Sequence, residues 1–212
     1  MIKFPYSKPE ILQEDIDEVV SVLKNGYLTQ GKQLEKFQNK ISEEFNCDYS
    51  ILCNSGTAAL HLLYDAIGLG PDAGLITSPI TFLSTANAAR MCDAPVIFAD
   101  VDPETGLVTP DTLKKTLEVS SVKIKAVTIV HLGGKVCDLE GLYNVASDYG
   151  CILIEDASHA PGAFHEDKDG ALSKIGSCKY SKATIFSFHA IKHVAMGEGG
   201  CVTTNDPILT EK

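Results

Sequence analysis

The stretch IFSFHAIKHVAMGEGG, residues 185–200, follows an apolar run with a single lysine, Lys192, and closes in glycines. An amine held among apolar neighbours has a lowered pKa, and its neutral form attacks a carbonyl to give a Schiff base. The glycines let the backbone pass close to a ligand. A surface lysine in a glycine-rich turn fits the same letters. Asp156 stands at the exit of LIEDASHA, an apolar run that reads as a buried strand. A buried carboxylate needs a cation or strong hydrogen-bond donors to stay ionised, although an aspartate there also fits as a cap on a following helix. His159, three residues on, reads by itself as a structural histidine. CNSGTAALHLL sets Ser55, Gly56 and Thr57 at a strand-to-helix junction, where unpaired N–H groups and the helix dipole favour an anion. The tripeptide also fits a plain helix cap. The spacings GxxxxGK[ST] and GxGxxG are absent from this stretch, so a phosphate held there belongs to a small cofactor.

The elements that must position these groups alternate along the chain. YSILCN, GLITSP, PVIFAD, IKAVTIV and CILIEDA read as strands, and ATIF leads into the lysine segment. Between them TAALHLLYDAIG, TFLSTANAARMC, TPDTLKKTLE and LEGLYNVASDYG read as helices. Two further helices precede them, an amphipathic one over 9–24 and a second from about Gln33 to Phe45. The segment from Pro161 to Lys182 shows no clear element. Alternation at this pitch predicts an α/β fold with a mostly parallel central sheet flanked by helices. Functional groups in such a sheet gather at the carboxyl ends of its strands.

At 212 residues the length fits one domain with a substantial core. Hydrophobic residues at 44% and charged residues at 22% are ordinary globular values. A formal net charge of -10 offers no cationic field for nucleic acid or an anionic bilayer. Of the 18 basic residues only Arg90 is an arginine, so bidentate clamping of a carboxylate or phosphate has one candidate. The seven cysteines form no CxxC pair, which removes the common zinc and thioredoxin readings and leaves buried reduced thiols. The N-terminal stretch has charges and a proline where a signal peptide needs apolar residues, and no run of about 18 apolar residues occurs. The expectation is a cytoplasmic protein without a membrane segment or bound metal.

Taken as a set, an anion-binding turn, an aromatic Phe82, a buried Asp156 and Lys192 on one sheet edge match pyridoxal 5'-phosphate. The phosphate takes the Ser55–Gly56–Thr57 turn and Ser187, Phe82 stacks on the pyridine ring, Asp156 keeps the ring nitrogen protonated, and Lys192 joins the aldehyde carbon.

These residues resemble those of the DegT/StrS-type sugar-nucleotide aminotransferases, whose large domain has the fold-type-I architecture of pyridoxal-phosphate enzymes. The resemblance covers nearly the whole chain: GYLTQG, NSGTAAL, PITFLSTANAARMCDAPVIFADVD, HLGGKVCDLEGL and EDASHAPGA each match a family segment. FSFHAIKHVAMGEGG is similar to the lysine motif of the branch that makes 4-amino sugars for pseudaminic acid from a UDP-linked 4-keto-6-deoxy-N-acetyl hexosamine. The resemblance implies that Lys192 is the cofactor lysine, Asp156 the ring-nitrogen partner and His159 the group beside the ring hydroxyl. It assigns Gly56, Thr57 and Ser187 to the phosphate and Phe82 to stacking. It further implies glutamate as amino donor, a sugar nucleotide as acceptor and a homodimer. Family members continue past the segment matching CVTTNDPILTEK into a small C-terminal domain. The resemblance thus makes residues 1–212 an incomplete cofactor-binding large domain, either part of an aminotransferase or a truncated, inactive remnant acting at most as a binding or interaction module.

Overall fold

A computed structural model describes residues 8–212; the first seven residues of the stretch read for a signal peptide lie outside them. Helix α1 (Gln13–Asn25) starts later than the pattern over 9–24 predicts, because Asp15 in its first turn reaches back to accept the Leu12 N–H at 2.8 Å. Among the described residues its apolar stripe is little covered: no residue of α1 is buried, and Val22 is half-buried. Helix α2 (Lys32–Phe45) does pack, through Ile41 and Phe45, and ends at Asn46 in the left-handed conformation.

The alternating part then follows in order: β1 (Tyr49–Cys53), α3 (Gly56–Ala66), β2 (Gly74–Thr77), α4 (Ser84–Met91), β3 (Val96–Phe98), α5 (Pro110–Val119), β4 (Ile124–Val130), α6 (Leu139–Asp148) and β5 (Ile152–Asp156). Helix α5 starts where Thr109 caps the Thr112 N–H and Pro110 fills the first turn, and α6 starts where Asp138 caps Gly141. Helix α4 begins three residues after the predicted start, which leaves Thr81–Leu83 as a turn leading into it.

The segment Pro161–Lys182, read from sequence as a connection without an element, contains β6 (Phe164–Glu166) and β7 (Leu172–Lys174) as a small antiparallel pair. The turn between them is built by Asp167, whose Oδ1 accepts the Asp169 and Ala171 N–H groups. Three-residue strands are too short for periodicity to reveal. Strands β8 (Ala183–Ser187) and β9 (Gly200–Thr204) follow, then a final turn of helix, α7 (Pro207–Thr210).

Seven strands form the central sheet in the order β1-β9-β8-β5-β4-β2-β3. All neighbours pair in parallel except β9, which runs antiparallel to both β1 and β8. The carboxyl ends of β1, β2, β4, β5 and β8 therefore share one edge, and the start of β9 lies at that edge as well.

Strand side chains alternate between faces, and the two faces carry separate cores. Ile41, Phe45, Leu113, Leu142 and Phe186 belong to the core under α2, α5 and α6. Leu60, Leu63, Tyr64, Ala88, Ile154 and Ile185 belong to the core under α3 and α4. The alternation sorts the paired acids of β5. Glu155 faces the first core, where its Oε2 lies 3.0 Å from His131 Nε2 and Thr184 donates to its Oε1 at 2.9 Å. Asp156 faces α4 instead. Among the described residues no helix is long and apolar enough to cross a membrane.

Candidate active site

On the α3–α4 face, at the carboxyl edge of the sheet, lies a cavity of about 250 Å³. Ser55, Gly56, Thr57, Phe82, Asp156, His159, Ser187 and Lys192, the eight residues singled out from the sequence, all line it. They arrive from the head of α3, the turn before α4, the end of β5 and the turn after it, the end of β8 and the β8–β9 loop.

Ser55 ends the connection from β1 and caps α3, its hydroxyl accepting the Ala58 N–H at 3.1 Å. The capping reading of this serine is therefore correct. The cap leaves the first-turn N–H groups of Gly56 and Thr57 at the head of α3, where helical geometry gives them no partner. Close packing fixes the turn. A Cβ on Gly56 would meet Ser187 Cβ at 2.9 Å, and one on Gly200 would meet Ser55 C and O at 2.4 Å and Gly56 N at 2.7 Å. The glycine of the GEGG run at the head of β9 is thus needed by the neighbouring turn.

Asp156 is 5% exposed at the end of β5. Its Oδ2 accepts the Thr85 hydroxyl at 2.9 Å and its Oδ1 the Ser158 N–H at 3.2 Å. With one donor on each oxygen, the carboxylate keeps lone pairs for a cationic partner. Thr57 Oγ1 lies 2.6 Å from Ser84 Oγ, so the first turn of α4 ties the anion turn and the carboxylate together. Phe82, on the turn before α4, is 67% exposed and presents a ring at the cavity.

Lys192 sits in the loop between β8 and β9, which is held by hydrogen bonds from Phe188 N to Gly199 O and from Ala190 N to Gly197 O. Burial lowers the Lys192 ammonium below the usual lysine range, against the opposing pull of Asp156. His159 Nδ1 accepts the Gly133 N–H at 3.3 Å, which places the proton of the neutral ring on Nε2. Burial, and then the charge of Lys192, push its pKa down. An amine nearer neutrality, a neutral imidazole and a carboxylate with free lone pairs thus share one small space. That arrangement suits a cationic aromatic ring bearing an aldehyde and an anionic tail, and the residues present fit pyridoxal phosphate.

The sequence did not mark Thr81, Ser84, Thr85, Ser158, His189 or Glu198, all of which belong to this region. TFLSTANAARMC reads from sequence only as a helix, and it is the placing of α4 beside α3 and the end of β5 that turns its hydroxyls toward the site. Arg90, the single arginine, is far from clamping a ligand: its Nη1 donates to the Ala94 carbonyl at 3.0 Å past the end of α4.

The fold is the α/β architecture of fold-type-I pyridoxal-phosphate aminotransferases, a mostly parallel central sheet flanked by helices. The profile of the DegT/DnrJ/EryC1/StrS aminotransferase family matches residues 9–212, and the chain belongs to that family. It is 38% identical over 208 residues to the spore coat polysaccharide biosynthesis protein SpsC of Bacillus subtilis (strain 168), covering 98% of this chain and 51% of that protein. It is 36% identical over 207 residues to the UDP-4-amino-4,6-dideoxy-N-acetyl-β-L-altrosamine transaminase of Campylobacter jejuni, covering 98% and 53%. The solved structure of Helicobacter pylori PseC, an aminotransferase involved in the biosynthesis of pseudaminic acid, superimposes with a TM-score of 0.87 at 31% identity over 98% of this chain and 54% of that one. The chain spans about half the length of the curated relatives it matches.

Proposed function

We propose that residues 1–212 form the pyridoxal-phosphate-binding large domain of an aminotransferase that moves an amino group from glutamate to a UDP-linked 4-keto-6-deoxy sugar. The observation that carries this reading is the convergence of Lys192, Asp156 and the head of α3 on one cavity. Similarity to an altrosamine transaminase and to PseC supports the sugar class and an amino sugar destined for polysaccharide or pseudaminic acid. As in the sequence reading, we place the reaction in the cytoplasm and between two copies of the chain.

Bound pyridoxal phosphate supplies an electron sink for the carbanion formed when a proton leaves the amino-bearing carbon. The chain's own groups do the rest. The Gly56 and Thr57 N–H groups, with the Thr57 and Ser187 hydroxyls, hold the phosphate at the positive end of α3. Phe82 covers one ring face. Asp156 holds a proton on the ring nitrogen through a charge-assisted hydrogen bond. His159 offers its Nε2–H beside the ring hydroxyl without adding a second positive charge. Lys192, its ammonium shifted down by burial, would hold the aldehyde carbon of the resting cofactor and, once an incoming amine displaces it, would serve as the base and acid that moves the proton at the reacting carbon.

One observation favours a second reading. The cavity has groups for the cofactor but no bidentate clamp for two anionic substrates, since Arg90 is engaged at Ala94. On this reading the 212-residue chain binds cofactor and turns over weakly or not at all by itself. Both readings are tested by incubating the chain with pyridoxal phosphate, glutamate and a UDP-4-keto-6-deoxy sugar, and following the amino sugar by mass spectrometry. Cofactor binding with little product supports the first reading for the domain and the second for the isolated chain. Full turnover refutes the second, and absence of cofactor binding refutes both.

A further inference from the structure

Thr85 is wholly buried, at 0% exposure, on the face of α4 that meets the sheet. A buried hydroxyl is costly unless bonded, and α4 fills its neighbouring sheet-facing positions with Ala88 and Ala89. The hydroxyl is explained by what it reaches. Its bond to Asp156 Oδ2, at 2.9 Å, joins residues 71 apart in sequence. A threonine hydroxyl has one proton. With that proton committed to the carboxylate, the 2.8 Å contact between Thr81 Oγ1 and Thr85 Oγ1 has a single permitted direction, Thr81 donating and Thr85 accepting. Two hydroxyls therefore point as a chain at one carboxylate oxygen. The backbone of Thr85 is pinned separately, its carbonyl oxygen accepting from the buried Tyr64 hydroxyl at 3.2 Å.

We infer that Thr85 is a positioning residue for the ring nitrogen of the cofactor, holding the Asp156 carboxylate in the orientation that leaves its free lone pair toward the cavity. The inference rests on the cofactor reading proposed above and adds a residue that acts through Asp156. Its consequence is selective. Loss of the Thr85 hydroxyl acts on binding only where the ligand has a ring nitrogen for Asp156 to meet.

The test compares pyridoxal phosphate with its 1-deaza analogue, in which carbon replaces the ring nitrogen, on wild type, Thr85→Val and Thr85→Ser. Valine keeps the volume and removes the hydroxyl; serine keeps the hydroxyl. Thr85→Val is expected to weaken pyridoxal phosphate binding about tenfold while leaving the deaza analogue within about twofold of wild type, and Thr85→Ser is expected to restore the selectivity. Equal losses for both ligands would make Thr85 a packing residue only, and equal affinities in wild type and Thr85→Val would show that Asp156 needs no such support; either result overturns the inference. If wild type itself fails to fix pyridoxal phosphate at Lys192 on borohydride reduction, the cofactor reading falls and takes this inference with it. Fixation at Lys192 in wild type with no selectivity in Thr85→Val overturns the positioning role alone.

Discussion

Gly200→Ala places one methyl group where the anion-binding turn already stands. The added carbon would lie 2.4 Å from Ser55 C and O and 2.7 Å from Gly56 N, whereas ordinary contact begins at 3.4 Å. The obstacle is backbone, so no side-chain rotation relieves it, and the turn or β9 must move by about an ångström. Overpacking of this kind costs about 1–3 kcal/mol in side-chain cores, and a backbone obstacle sets the expectation at the top of that range. With a urea m-value of about 2–3 kcal/mol/M for a chain of this size, the unfolding midpoint falls by roughly 1 M. Displacing the Gly56 and Thr57 N–H groups also weakens at least one hydrogen bond to a charged phosphate, worth about 1.5 kcal/mol or more, so cofactor affinity drops at least about tenfold. Gly197→Ala is the control. No atom lies within 4 Å of its added carbon, and only its φ of +79° is unfavourable, a strain of about 1–2 kcal/mol partly offset by a stiffer unfolded chain. Urea unfolding followed by circular dichroism, with cofactor titration on the folded protein, separates the two. A Gly200→Ala protein no less stable than Gly197→Ala, and binding cofactor as wild type does, would refute the packing argument for the turn.

Because burial lowers the Lys192 ammonium and Asp156 opposes that shift, its aldehyde labelling should rise at lower pH than at surface lysines; Asp156→Asn should move the rise lower still, as read by peptide mass after reduction. Glu155→Ala leaves His131 Nε2, Ser181 and Thr184 without their buried acceptor, and a broken buried pair costs about 3–5 kcal/mol in urea unfolding. The Asp156 face is untouched, so labelling of Lys192 in the folded fraction should persist. Burial pushes the Cys137 and Cys178 thiols up to about 12 and raises Cys201 well above the usual range; a thiol reagent at neutral pH should therefore modify Cys47, Cys53, Cys92 and Cys151 long before these three.

The sequence exposes those parts of the fold and site whose signals are local. Strand exits followed by Ser-Gly-Thr, by Glu-Asp or by a lone lysine are readable because a short apolar run and the residue after it fix both position and direction. Lys192, Asp156 and the Ser55–Thr57 turn all belong to this class. What is not readable depends on partners distant in the chain. Thr85 is a helix hydroxyl until the fold brings α4 to the end of β5, where it meets Asp156, and Gly200 is one glycine among several until β9 inserts between β1 and β8. Strand β9 itself, GCVTT, follows a glycine-rich loop that masks its start, and β6 and β7 are shorter than any period. The apolar stripe of α1 is legible as amphipathic, yet amphipathicity alone says nothing of what covers it, and among the described residues it stays largely exposed.

The account turns on Lys192 meeting an aldehyde whose ring nitrogen reaches Asp156. The direct measurement is to mix the protein with pyridoxal phosphate, reduce with borohydride, digest, and map the labelled peptide by mass spectrometry. The account expects one dominant site, Lys192, lost in Lys192→Ala. Label spread evenly over the surface lysines, with Lys192 no more modified than the rest, would contradict it.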